Sequence, residues 1–379
     1  MDIEMVAPHN PNKGELAIWA LTPGGGKLSR RLSAIRPGAR IFLGRNCGNP
    51  GRGFPKAQVR SMDRLGPTLA REFHNFQAHV FIFSTGIALR VLAPLIETKE
   101  KDPAVVLMDE RGENIISLLS GHIGGANALT LELARALDAH PVITTATDVN
   151  GIQSVDHVAT VLDMAIENID AIKGVNMATL KGERIQIKDP AGLLAPHLEI
   201  PSLEVLGPDD PFSPDPRIPK IHCHWETQAV PRETLLVRPR CLYVGMGCNR
   251  NTPGADLEAF FGSTLKKFNL SPLAVAALAT TQVKADEPGL LALGQKLGLP
   301  IRFYDKAALN SVTQIQNPSK MVEKHLGVKS VCEAASILAS KQGQLILPKQ
   351  KNPDITLAVS LSSAPDRATQ PTCPDGPAS

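Results

Sequence analysis

The stretch Ile115-Ile-Ser-Leu-Leu-Ser-Gly-His-Ile-Gly-Gly-Ala-Asn127 has the form of a strand, a tight turn and a helix start. Its apolar run, 115–119, has the continuous character of a buried strand, and 126–137 carries apolar residues at helical spacing. A junction of this kind presents backbone N–H groups and a partial positive charge to whatever lies in front of it. Gly121, Gly124 and Gly125 have no Cβ to keep a ligand from the backbone. His122 is the side chain there that exchanges a proton near neutral pH. The turn is therefore a candidate anion site with a proton-transfer group beside it. The plainer alternative is a close-packed turn in which His122 only caps the helix.

The same alternation extends outward in both directions. Strands are expected at 15–21, 40–43, 79–83, 104–108, 115–119 and 142–145, and helices at 27–35, 59–76, 87–96 and 126–137. Strands separated by helices of this length favour a mainly parallel βαβ sheet, in which ligands sit at the carboxyl ends of strands. The turns at 23–26, 84–86 and 121–125 are loops of that type, and their convergence is an expectation. Beyond them, 155–172 predicts a helix, 184–187 a strand, and the proline-rich 207–220 a linker. Strands are then expected at 221–225, 235–237, 242–244, 301–304, 345–347 and 355–359, and helices at 255–268, 288–297 and 330–340. The predicted fold class is α/β throughout. It comprises an N-terminal mainly parallel βαβ domain (1–148), a small middle α/β unit with its linker (149–220), a C-terminal α/β domain (221–361) and a disordered tail (362–379).

Composition narrows the function classes. The chain has 379 residues, 43% of them hydrophobic but only 4% aromatic, so its cores must rest on aliphatic side chains. A net charge of +3 with scattered Lys and Arg argues against a nucleic-acid surface. Asp2 and Glu4 replace a secretory n-region, and no run of about 18 apolar residues suits a membrane span. Six widely spaced cysteines without a Cys-x-x-Cys read as free thiols. A soluble cytoplasmic protein is expected, with no nucleic-acid or membrane partner.

Other motifs carry weaker signals. Gly24 and Gly25, after the first strand, are candidates for cradling a carboxylate, although flexible loops look alike. Gly245-Met-Gly-Cys-Asn-Arg250 follows a strand and precedes Thr252-Pro253, a helix N-cap and first position. That sets Arg250 beside a helix start as a carboxylate clamp. His222 and His224 share one face of a strand, but no third ligand stands at a metal-site spacing, so no metal site is expected. Glu110 and Glu113, in the turn before strand 115–119, are candidates for orienting His122. Neither a P-loop lysine nor a Gly-x-Ser-x-Gly is present.

Three long strings carry a family resemblance. They are Ser84-Thr-Gly-Ile-Ala-Leu-Arg90 through Leu118–Asn127 to Thr144-Thr-Ala-Thr-Asp148, then Val244-Gly-Met-Gly-Cys248 with Lys284-Ala-Asp-Glu-Pro-Gly289, then Gly327-Val-Lys-Ser-Val-Cys-Glu-Ala-Ala335. Over about residues 15–360 the sequence resembles the CbiG family, the cobalt-precorrin-5A hydrolases of anaerobic cobalamin synthesis. The resemblance implies three α/β domains and a reaction in which water opens the δ-lactone of cobalt-precorrin-5A. The two-carbon fragment leaves as acetaldehyde, giving cobalt-precorrin-5B. The cobalt travels with the substrate, so no cofactor is expected. The implied partner is a cobalt-corrinoid small molecule, with transient contact with neighbouring pathway enzymes.

Lactone opening needs a base for water, donors for the oxyanion and an acid for the departing oxygen. His122, helped by Glu110 or Glu113, is the candidate acid–base group, and the turn's N–H groups are the candidate donors. The substrate's many acetates and propionates call for spread donors, for which Thr85, Gly86, Arg90, Asn127, Gly247, Arg250 and Lys284 are the candidates. The competing reading is a non-catalytic carrier of corrinoid intermediates, which would tolerate loss of His122.

Overall fold

Alternate side chains of the first strand leave on opposite faces: Ile18 and Ala20 join one buried cluster, Ala17 and Trp19 another. The structure is a computed structural model and describes residues 14–47, 59–98, 101–122, 124–145, 152–318 and 328–362. Two compact units divide the chain. The first is Met1–Val161 with Asn176–Gly182 and Glu199–Pro201; the second is Leu162–Val175, Glu183–Leu198 and Ser202–Ser379.

In the first unit, β1 (Gly14–Ala20), β2 (Arg40–Gly44), β3 (Val59–Met62), β4 (Phe76–Ile82), β5 (Ala104–Met108), β6 (Asn114–Leu119) and β7 (His140–Val142) form one sheet. Its order is β3-β2-β1-β4-β5-β6-β7, parallel throughout except for the antiparallel β5–β6 pair. The order reverses at β1, which pairs with both β2 and β4, as in doubly wound sheets. Helices α1 (Pro23–Ile35) and α4 (Ala126–Leu137) lay Leu28, Leu32, Leu133 and Ala134 against one face. Helices α2 (Leu65–Glu72) and α3 (Thr85–Leu92) lay Leu69, Ala88 and Leu92 against the other. Trp19 anchors that second face: it stacks on Phe42 at 4.0 Å, and its indole N–H donates to Nδ1 of buried His79 at 3.0 Å. An indole can only donate, so His79 keeps its proton on Nε2, which donates to the Phe73 carbonyl at 2.9 Å.

The second unit holds two five-stranded sheets. One is made of β8 (Met164–Ile166), β9 (Ile185–Lys188), β10 (Leu203–Leu206), β11 (Lys220–Cys223) and β12 (Leu235–Pro239), in the order β10-β9-β11-β12-β8. Buried Arg238 fastens it, donating to Glu167 at 2.6 Å and to the carbonyls of His224 at 2.9 Å and Glu226 at 2.6 Å. Beside that sheet Trp225 stacks on His224 at 4.4 Å. The other sheet, β15-β14-β13-β17-β16, comprises β13 (Leu242–Cys248), β14 (Val275–Thr281), β15 (Ile301–Tyr304), β16 (Gln344–Lys351) and β17 (Ile355–Leu361). It packs against α7 (Gly254–Lys267) and α8 (Pro288–Leu297) on one face, and against α9 (Lys306–Ser311) and α10 (Val331–Ala339) on the other.

Several expectations are corrected. The glycine-rich 23–26 is already the first turn of α1, because Thr22 caps it and Pro23 suits the first helical position. The expected helix 59–76 divides, since Val59–Met62 adds to the open edge of β2 as a strand. The expected helix 155–172 also divides. Its first part, α5 (Val155–Val161), ends before Asp163, which takes a left-handed φ of 53°; β8 follows, and then α6 (Ile172–Lys181). The expected boundary at 220/221 falls inside a sheet, because β11 and β12 pair with β9 and β8. The expected tail lies outside the described residues beyond Ser362.

Helix α10 crosses β13 at Gly245, where a Cβ would stand 1.9 Å from the Cys332 carbonyl oxygen. Gly262, exposed on α7, has nothing within 4 Å of its Cβ position. Gly245→Ala should destabilise the second unit by about 1–3 kcal/mol. Gly262→Ala should stabilise it by about 0.5–1 kcal/mol through helix propensity. Thermal unfolding midpoints that move in the same direction for both variants would contradict this packing.

Candidate active site

The carboxyl ends of β1, β4 and β5 bring two of the three expected loops together. Thr22 Oγ1 accepts the Gly25 N–H at 3.1 Å, and a Cβ on Gly25 would press at 3.2 Å on Ala20 and Ile82. Gly25 therefore serves the seating of α1 on the sheet. A Cβ on Gly24 would lie 2.5 Å from Glu110 Oε2, so this glycine makes room for a carboxylate at the start of α1. The anion there is the protein's own. Beside it, Ser84 and Thr85 at the start of α3 line a cavity of about 520 Å³ with Phe83, Leu107, Glu110 and Ile116. Gly86 starts the same helix, and exposed Arg90 donates to its carbonyl at 3.0 Å.

The third loop is elsewhere. Because β6 runs antiparallel to β5, the 121–125 turn emerges at the opposite end of the strands, roughly 20 Å along β6 from Glu110 and Glu113. Those two residues are not brought to His122, so their expected orienting role is corrected. The turn also closes on itself. The N–H groups of Gly125, Ala126 and Asn127 donate to the carbonyls of His122 (3.0 Å), Ser120 (3.1 Å) and Gly121 (2.9 Å). Three of the turn's N–H groups are thus satisfied by its own carbonyls. A Cβ on Gly124 would meet Ser120 Cβ at 2.3 Å, and Gly125 holds a left-handed φ of 84°. Gly121 makes room for the Asn127 amide, whose Oδ1 would lie 2.8 Å from a Cβ there. Asn127 is 2% exposed; it accepts from Ser117 Oγ at 2.6 Å and donates to Thr145 Oγ1 at 3.0 Å. Its amide braces the turn against β6 and the chain after β7, a structural task in place of the expected substrate contact.

This closed turn holds His122. The side chain is 12% exposed, and its Nδ1 lies 3.3 Å from Asp156 Oδ2. Asp156 sits on α5, and its other oxygen accepts from Asn176 Nδ2 on α6 at 3.0 Å. His157 places its ring edge-on to His122 with centroids 6.2 Å apart. Burial pushes the Asp156 carboxyl up, but the bonds from His122 and Asn176 outweigh it and hold it below the usual carboxylate range. A carboxylate that stays charged beside an imidazole stabilises the imidazolium formed in proton transfer. With Nδ1 turned to that carboxylate, exchange with a third group passes through Nε2. Asp156 and Asn176 are not among the sequence candidates. The signal available for Asp156 was an acid in the first turn of a predicted helix, and no spacing ties it to residue 122.

In the second unit, Arg250 and Lys284 already have carboxylates. Arg250 reaches Asp286 at 2.6 Å and the Val283 carbonyl at 3.0 Å, while Lys284 donates to Glu287 at 2.8 Å. Glu287 is fully buried; burial pushes it up, yet Lys284 and the Asn251 N–H hold it below its usual range. Arg250 lines a cavity of about 660 Å³ with Asn249, Thr252, Phe260, Asn352 and Asp354. Gly247 faces Thr356 across the β13–β17 ladder, whose Oγ1 would stand 2.7 Å from a Cβ there.

His222 and His224 stack in parallel, with centroids 5.7 Å apart. Among the described residues no group of three His, Cys, Asp or Glu is placed to hold a metal ion. His224 Nδ1 accepts the Glu226 N–H at 2.9 Å. Burial, helped by His224 and Arg238, pushes His222 down to about 4. The unfolded chain then binds a proton that the folded one refuses, so stability is full above about pH 6.5 and falls between there and about pH 4. His222→Leu should remove on the order of 2–3 kcal/mol of that acid sensitivity. Denaturation midpoints at pH 7.5 and 5 that differ as much in the variant as in the parent would refute it.

Residues 67–148 match the family model described as Cobalamin synthesis G N-terminal, and 242–360 match Cobalamin synthesis G C-terminus. A cobalt-precorrin-5A hydrolase of Priestia megaterium is 34% identical over 360 residues, 92% of this chain and 95% of its own. One of Salmonella typhimurium is 34% identical over 353 residues, covering 92% and 97%. A probable cobalt-precorrin-5A hydrolase of Methanocaldococcus jannaschii is 28% identical over 295 residues, covering 75% and 85%. No helix among the described residues is long and apolar enough to cross a membrane. With both family models matched and this identity over nearly the full length of its relatives, the chain belongs to the cobalamin synthesis G family.

Proposed function

We propose that this chain, a cobalt-precorrin-5A hydrolase by family and by identity to relatives of that name, opens its substrate's δ-lactone with His122 as the proton-transfer group. The observation that carries the assignment to His122 is the nearly buried imidazole whose Nδ1 faces the Asp156 carboxylate at 3.3 Å. Water attacks the lactone carbonyl and gives up a proton to Nε2. The ring C–O bond breaks, the departing oxygen takes that proton back, and an alcohol and a carboxylic acid result, the acid giving its proton to solvent. The neutral imidazole then takes the alcohol proton. A C=O bond forms, the C–C bond to the macrocycle breaks, and acetaldehyde leaves. The electron pair enters the conjugated ring with its cobalt, and a ring carbon takes the proton, giving cobalt-precorrin-5B.

One imidazole thus serves twice as base and twice as acid, and each reversal needs an imidazolium that is neither too stable nor too costly. The cobalt belongs to the substrate. Arg90, exposed on α3, supplies a cation for a peripheral carboxylate of the substrate. Transient contact with the enzymes that make the substrate and take the product belongs to the same reading.

Incubation of the purified chain with cobalt-precorrin-5A should release one acetaldehyde per corrinoid. His122→Ala should lower the rate about 10²–10⁴-fold while leaving substrate binding in place. Intact corrinoid recovered bound to the parent protein, with no acetaldehyde, would make the chain a carrier and end the hydrolase reading. Full turnover by His122→Ala would remove His122 from the proton path.

A further inference from the structure

We infer that Asn176 is a positioning residue of this site, acting on His122 through Asp156. The inference rests on the reading of His122 as the proton-transfer group. A carboxylate with two oxygens can swing about its Cβ–Cγ bond unless both are held. Here Oδ1 accepts from Asn176 Nδ2 at 3.0 Å and Oδ2 faces His122 Nδ1 at 3.3 Å, so the plane of the carboxylate is set from both sides. The Asp156 side chain is 5% exposed, which leaves little water to compete for either oxygen.

The orientation of the Asn176 amide is a second observation. Its Oδ1 is buried and has no hydrogen-bond partner among the described residues, which is costly for a buried acceptor. Turning the amide over would set that oxygen against the carboxylate, so the amide stays as it is because Asp156 is charged. A packing role alone would not need this arrangement, since an aliphatic side chain would fill the space without the orphaned acceptor. Ser154, 2% exposed and two residues before Asp156, also lowers the carboxyl's affinity for a proton. Ala178 and Thr179 are buried on the same helix as Asn176.

The location of these residues adds to the argument. Asp156 and Asn176 lie between the stretches matched by the two family models, 67–148 and 242–360. Yet residues 176–182 fold with the first unit, the one that carries His122. The segment between the matched stretches therefore completes the site.

The test uses the full chain with cobalt-precorrin-5A and reads kcat, KM and the pH profile of acetaldehyde release. Asn176→Ala should lower kcat about 10–100-fold, with KM within about twofold, because an imidazole off its productive angle fails in the transition state and not in binding. Asn176→Gln, which keeps the donor, should recover part of that loss. Asn176→Asp has nearly the same volume and sets a second carboxylate against Asp156. One of the pair then holds a proton to higher pH, and the acid limb of the kcat profile should move up by about a unit or more. Histidine ¹⁵N shifts should show the Nδ1/Nε2 proton balance of His122 disturbed in Asn176→Ala at unchanged unfolding midpoint. If His122→Ala is inactive but Asn176→Ala and Asn176→Asp keep the parental kcat and pH profile, the positioning role is overturned while the reading of His122 stands. If His122→Ala is fully active, the underlying reading fails first.

Discussion

The reversal between β5 and β6 governs where everything downstream can go. Asp109 makes it: its carboxylate accepts the N–H groups of Arg111 (2.8 Å), Glu113 (3.3 Å) and Asn114 (2.7 Å) together with Asn114 Nδ2 (3.1 Å). Burial pushes this carboxyl up, but those four bonds hold it below the usual range. A strand that turns back on its neighbour sends the next loop to the other end of the strands. One aspartate thereby separates the sheet's loops into two groups. Glu110 stays with the starts of α1 and α3, and His122 goes to the side where Asp156 comes to meet it.

Ionised groups taken out of water are managed in the same way across the molecule. Glu333, fully buried, accepts N–H groups from Gln316, Asn317 and Lys349 and so ties a loop to the latter part of β16. Glu287 holds Lys284 and the chain at Asn251, and Arg238 holds two carbonyls and Glu167. In each case a charge is kept because several fixed partners replace its hydration. Asp156 follows the rule with an amide on one side, and differs in facing an imidazole.

Strand and helix character was legible wherever apolar residues ran long enough to show their period. Strands near 79–83 and 104–108 and the helix 126–137 lie close to where their patterns place them. Direction was not legible, because a buried strand such as Ile115–Leu119 reads alike whether it runs with its neighbour or against it. For that reason the glycine turns looked like one ligand site and are two separate structures, one seated on Glu110 and one closed on its own carbonyls. His122 stood out because an imidazole between glycines is unusual in a packed turn. Asp156 and Asn176 did not, since their connection to His122 exists only through the path of the chain. Arg250 and Lys284 illustrate the opposite difficulty: cations near a helix start suggest a waiting ligand, and Asp286 and Glu287 are the ligands.

The placement of the indoles has a spectroscopic consequence. The chain has two tryptophans, Trp19 in the core of the first unit and Trp225 in the second. Trp19 is shut between aromatic rings and bonded to a histidine, whereas Trp225 is half-buried and stacked on an imidazole. Their emission therefore arises from two environments, one in each compact unit. Replacing either indole by phenylalanine leaves a chain whose tryptophan fluorescence reports the surroundings of one unit alone, without any label.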